Sequence, residues 1–122
     1  MRQGDRAGAP RLRRRRRSRI VYQLTVLYHH PDDPKAFDEY YDGTHTPLAK
    51  ALPGLQRLTV SRPQPAPDGA QPAYHLVATL EFADQAAFGA AMGSPEGEAA
   101  VADVGKFATG GATMLTGPST AP

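Results

Sequence analysis

Tyr74-His75-Leu76-Val77-Ala78-Thr79-Leu80-Glu81-Phe82 alternates without a break. Tyr74, Leu76, Ala78, Leu80 and Phe82 fall on one face and His75, Val77, Thr79 and Glu81 on the other, which is the period-two pattern of a strand with one face in a core. What flanks this segment sets the topology. Toward the N-terminus, Pro63 to Pro72 is rich in Pro, Gly, Ala and Gln and reads as a flexible hairpin loop. Before it, Leu55 to Arg62, with Leu58 and Val60 on one face, reads as the partner strand. Toward the C-terminus, Asp84 is placed to cap a helix through Phe88, Ala91 and Met92. Ser94-Pro95-Glu96 then starts another, through Val101, Val104 and Phe107. Gly110-Gly111 breaks it, and Ala112 to Thr116 is predicted as a short last strand before a flexible C-terminus at 118–122.

Further out, Ile20 to Tyr28 is β-branched and aromatic, with Tyr22, Leu24, Val26 and Tyr28 alternating on one face of a first strand. Asp33 followed by Pro34 is a cap-then-proline signal for a helix whose apolar face carries Phe37, Tyr40, Tyr41 and Thr44. Thr46-Pro47 repeats the signal and predicts a second short helical piece with Leu48, Ala51 and Leu52, ended by Pro53-Gly54. The order is therefore strand, helix, strand, strand, helix, strand. That is an α+β, ferredoxin-like βαββαβ arrangement: a four-stranded antiparallel sheet with its helices on one face. Apolar content on the other face, such as Leu27 and Val77, exceeds what a solvated sheet needs. A second copy packed sheet to sheet would cover it and enclose a cavity, so a homodimer is expected.

The chain of 122 residues allows one domain, expected over 20–117. No apolar run is long enough to cross a bilayer, and no apolar segment follows the arginines as a signal peptide requires, so a cytoplasmic protein is expected. With no cysteine, disulfides, thiolate metal sites, iron–sulfur clusters and cysteine nucleophiles are excluded. Nine arginines and one aspartate give residues 1–19 a net charge of +8, while five basic and eleven acidic side chains leave the rest at −6. The arginine-rich stretch has no apolar periodicity and is expected to be a disordered tail, or the product of a start site placed too far upstream. Nucleic acid is expected as a partner only through Arg13 to Arg17, since no aromatic residues interleave there for stacking.

Several segments together resemble the EthD family of dimeric α+β barrel proteins. They are Tyr22 to Tyr28, Phe37-Asp38-Glu39-Tyr40-Tyr41, Thr44-His45-Thr46-Pro47-Leu48-Ala49, Pro53-Gly54-Leu55, and Ser94-Pro95-Glu96-Gly97 followed by Ala99 to Asp103. The resemblance implies a ferredoxin-like protomer dimerised into a barrel with a ligand cavity. Members are often labelled reductases, and the family's name comes from a role in bacterial degradation of ethyl tert-butyl ether beside a cytochrome monooxygenase system. Some fungal relatives look like decarboxylases or dehydratases of polyketide pathways.

His45 is the candidate catalytic residue. It is read as projecting from a break between two helical pieces, where Pro47 denies the backbone a normal continuation, and the family motif has a matching histidine. An imidazole suits general acid–base work near neutral pH; the alternative is that it bonds the frayed backbone. Tyr40 and Tyr41 are adjacent and cannot both face one core, so one phenol is expected toward the cavity or an interface, although packing is the commoner role of such residues. His75 and Leu48 complete the candidate substrate contacts, while Tyr22, Tyr28 and Tyr74 are read as packing. His29-His30 beside Asp32-Asp33 is not expected to bind metal, because adjacent side chains diverge and no i,i+4 histidine pair exists. No nucleotide or phosphate motif is present, and no cofactor is expected. Three readings remain open: a cofactor-independent enzyme acting on a hydrophobic or aromatic small molecule, a non-catalytic ligand-binding accessory protein, and a haem- or quinol-type barrel monooxygenase.

Overall fold

The computed structural model describes residues 20–122. The arginine-rich stretch and the expectations placed on it lie outside the described residues. Four strands and their helices follow the predicted order. They are β1 (Ile20–Tyr28), α1 (Pro34–Tyr40), a π-helical turn (Tyr41–His45), α2 (Thr46–Lys50), β2 (Arg57–Ser61), β3 (Leu76–Phe82), α3 (Gln85–Met92), α4 (Pro95–Phe107) and β4 (Ala112–Thr120).

The strands form one antiparallel sheet in the order β2-β3-β1-β4. Tyr28 pairs with Leu76, Val26 with Ala78 and Leu24 with Leu80, so the even-numbered residues of the two central strands share the face that packs on the helices. That face holds the core, in which Tyr28, Tyr41, Leu76 and Phe82 are the largest fully buried side chains. A ring cluster of Tyr28, Phe37, Tyr41 and Phe107 joins β1 to α1 and α4, with centroids 5.1–6.0 Å apart. Each such pair adds about 0.5–1.5 kcal/mol beyond its area burial.

Three helices start where the sequence says they should. Asp33, Asp84 and Ser94 each accept from the backbone N–H three residues on. Gly97, in the first turn of α4, is held by close approach, since a Cβ there would lie 2.1 Å from the Ala91 carbonyl oxygen. On α4 the buried stripe is Gly97, Ala100, Asp103 and Phe107, and Val101, expected on the apolar face, is 52% exposed.

Two further expectations are corrected. The break before Pro47 does not exist: the backbone stays helical from Pro34 to Lys50, and the Thr46 N–H reaches back five residues to the Tyr41 carbonyl. One extra residue in the turn lets the helix pass a proline whose ring would strike the carbonyl four residues back. The last strand runs to Thr120, four residues beyond its expected end and into the stretch read as a flexible C-terminus. It pairs with β1 as far as Ile20↔Thr120, and because it lies at the sheet edge it tolerates Pro118, which has no N–H to give.

The far face carries Thr25, Leu27, Val77, Thr79, Thr113 and Leu115, by their pairing across the sheet. Among the described residues no helix covers it, and Leu115 is 56% exposed. Among the described residues no helix is long and apolar enough to cross a membrane.

Candidate functional site

A cavity of about 140 Å³ lies between the sheet and the helices. The sheet contributes Leu24, Val26, Tyr28, Leu58, Ala78, Leu80, Met114 and Thr116. From the helical side come Tyr41, His45, Ala49 and Leu52, with Phe88 and Met92 of α3 and Ala100, Val101 and Val104 of α4. Among the described residues only Tyr28, Tyr41, His45 and Thr116 bring nitrogen or oxygen atoms in their side chains. Val101 and Met114 line the cavity and are about half exposed, which places its mouth between α4 and the edge strand β4.

His45 sits on the π turn, 6% exposed. Its Nδ1 is 2.9 Å from Oδ2 of Asp103, which is 3% exposed on α4. The second oxygen of Asp103, Oδ1, accepts the Tyr40 hydroxyl at 2.6 Å. Burial pushes the Asp103 carboxyl up, but the hydrogen bonds from Tyr40 and His45 oppose it and prevail, so the group titrates below its ordinary value. Asp103 is thus an ionised acceptor, and Nδ1 of a neutral His45 carries the proton. Nε2 is left with a lone pair, and among the described residues it has no hydrogen-bond partner. The ring is wedged between Phe107, at 4.8 Å, and Tyr41, at 5.3 Å. The hydrogen bond to Asp103 raises the Tyr40 phenol in turn. Burial pushes the Tyr41 phenol up to about 12 and raises that of Tyr28 further.

Of the sequence candidates, His45 and Tyr41 line this cavity. Tyr40 lies outside it, with its hydroxyl on Asp103 and its ring stacked on Phe107. Leu48 faces a separate shallow hollow with Ala51, Pro95 and Ala99. His75 is elsewhere: its Nε2–H donates to Asp38 Oδ1 at 2.8 Å, and its ring packs on Phe37 at 4.9 Å. Strand pairing begins at Leu76, so the alternation that assigned His75 a sheet face does not govern it. His29 shares a hydrogen bond with Thr113 Oγ1, His30 donates to the Pro72 carbonyl, and no metal-binding cluster exists among the described residues. Asp103 and Tyr28 were not singled out from the sequence as site residues. The available signal for Asp103 was a carboxylate on the stripe Ala100, Asp103, Phe107, where only apolar side chains belong.

Fold and site together define a small ferredoxin-like α+β protein with an apolar cavity whose wall carries a buried histidine, held from behind by a carboxylate. The EthD domain matches residues 29–111, and the chain belongs to that family. It is 43% identical over 95 residues to an uncharacterized 11.0 kDa protein of the thcB-thcC intergenic region of Rhodococcus erythropolis, covering 78% of this chain and 91% of that protein. Among solved structures, an EthD family protein from Bacillus halodurans is 35% identical, with a TM-score of 0.74 over 80% of this chain and 96% of the other. A dimeric ferredoxin-like protein from Thermobifida fusca superposes with a TM-score of 0.60 at 14% identity, over 84% and 92% of the two chains. SnoaB, a cofactor-independent oxygenase from Streptomyces nogalater, does so at 0.54 and 17%, over 86% and 94%.

Proposed function

We propose that this protein binds a small hydrophobic or aromatic molecule in the cavity and that His45 moves a proton to and from it without a cofactor. The observation that carries this reading is the His45–Asp103 pair. One nitrogen of a buried imidazole is fixed by a carboxylate, and the other is free on a residue that lines an apolar cavity. In the forward step Nε2 takes a proton from a C–H or O–H bond of the ligand, and the electron pair of that bond stays on the ligand. The imidazolium so formed is stabilised by Asp103, which keeps its charge. Return of the proton at another atom completes an isomerisation or elimination. A deprotonated ring or enol is also the species from which direct reaction with dioxygen starts, and the fold likeness to a cofactor-independent oxygenase supports chemistry of that kind.

Cavity size supports a single-ring ligand. An apolar cavity of about 150 Å³ takes benzene, whereas drug-sized ligands occupy about 300–1,000 Å³. We also propose a homodimer packed through the far sheet face, in keeping with the dimeric relative.

The test is turnover of a panel of single-ring phenols, ketones and polyketide-like substrates by the wild type and by His45→Ala. Loss of turnover of about 10²–10⁴-fold with ligand binding kept supports proton transfer. Binding with no turnover by the wild type would make the protein a ligand carrier instead.

A further inference from the structure

Tyr28 and Tyr41 are each 1% exposed, their rings meet edge to face at 5.6 Å, and both line the cavity. Among the described residues neither hydroxyl has a hydrogen-bond partner, in contrast to Tyr40, whose hydroxyl donates to Asp103. Burying an unpaired hydroxyl costs free energy that a phenylalanine would not. The same ring cluster uses phenylalanine at Phe37 and Phe107, so packing alone does not call for the two oxygens. Burial raises both phenols, which keeps them protonated and therefore donors at any ordinary pH. Among the described residues the cavity wall includes no lysine, arginine or carboxylate, so while His45 is the neutral base an ionised ligand has no counter-charge there.

Taking the cavity as the ligand site proposed above, we propose that Tyr28 and Tyr41 are its hydrogen-bond donors. The ligand is then a neutral compound of about one-ring size that carries a carbonyl oxygen. Two phenols on that oxygen stabilise the charge that develops when a neighbouring C–H is deprotonated. The C–H bond breaks, its electron pair forms a carbon–carbon double bond, the carbonyl π pair moves to the oxygen held by the phenols, and the proton goes to Nε2 of His45.

Calorimetric titration of the full chain with acetophenone and with ethylbenzene, which differ in the carbonyl, tests this. Acetophenone is expected to bind about tenfold more tightly, and Tyr28→Phe or Tyr41→Phe to lose roughly three- to tenfold of that while ethylbenzene is unaffected. Both variants should melt no lower than the wild type, because no protein hydrogen bond is removed. Equal affinity for the two probes overturns the proposal, as does a drop of several degrees in Tm, which would reveal a protein partner for the hydroxyl. Failure of both probes to bind defeats the ligand-site reading along with it. The wild-type ratio needs neither a variant nor turnover, so failure of proton transfer is seen separately.

Discussion

His45 and Asp103, 58 residues apart in the chain, meet through a 2.9 Å hydrogen bond with both side chains almost wholly buried. An ionised carboxylate in that position is tolerated only because each oxygen has a donor, one from His45 and one from Tyr40. The pair therefore ties α4 to the π turn and fixes the orientation of the imidazole. Structure and chemistry share one residue.

Asp103→Asn separates the two roles. The amide fits the space, but its NH₂ can donate to His45 Nδ1 and so place the lone pair on the wrong nitrogen. Catalysis is expected to fall about 10²–10⁴-fold with little change in ligand affinity, and stability to fall by about 1–3 kcal/mol. Steady-state kinetics beside urea unfolding would show it, and an unchanged kcat would take Asp103 out of the mechanism.

Tyr40 is a positioning residue, and Tyr40→Phe should behave as one. It removes the Tyr40 donor from Asp103 and one of the influences that hold the carboxyl low. The expected result is less than a tenfold loss in kcat, an unchanged KM and a pH profile displaced at its acid side. A large rise in KM would instead mean that Tyr40 touches the ligand.

Strands and caps were legible in the sequence because they depend on local chemistry: alternation in Leu76–Phe82, and Asp33, Asp84 and Ser94 ahead of their helices. Family motifs drew attention to His45. The π turn was not legible, since Thr-His-Thr-Pro reads locally as a stop, whereas in the fold Tyr41 and His45 pack against Phe107 from across the chain. Nor was the partner of His45, because a carboxylate 58 residues away becomes its neighbour only after α4 docks.

Gly97→Ala tests that docking. The added methyl would stand 2.1 Å from the Ala91 carbonyl oxygen and 2.7 Å from that of Met92, both backbone atoms that cannot swing aside. Overpacking of this kind costs about 1–3 kcal/mol, despite the gain in helix propensity from glycine to alanine. For a domain of this size the melting point should drop by about 4–8 °C per kcal/mol. A melting point at or above that of the wild type would mean that α3 and α4 separate freely.

The proposed dimer is tested by Leu115→Glu. Leu115 is 56% exposed on the uncovered sheet face, so the charge costs a monomer little. Between two facing sheets it would be buried without a partner. Light scattering should report a dimer for the wild type and a monomer near half that mass for the variant. A wild type that is monomeric at micromolar concentration, or a variant that still dimerises, would rule out this face, because a stable interface buries over about 1,000 Å².

Acid unfolding carries a signature of the buried carboxylate, and its sign follows from the direction of the shift. Asp103 is desolvated, which raises its pKa, yet the donors Tyr40 and His45 hold it below the ordinary 3.8. A group whose folded value lies below its unfolded value releases its proton more readily in the native state. Its contribution to stability is therefore complete above the ordinary value and is lost as pH falls through the folded one. The informative quantity is the difference between the wild type and Asp103→Asn, followed by urea unfolding from pH 7 to pH 2. That difference should shrink as pH falls below the ordinary carboxylate value, because the wild type alone then loses a buried anion that was paired on both oxygens. If the gap stays constant to pH 2, Asp103 is not ionised in the folded protein. The proton on His45 would then have to be assigned to the other nitrogen, and the proposed base with it.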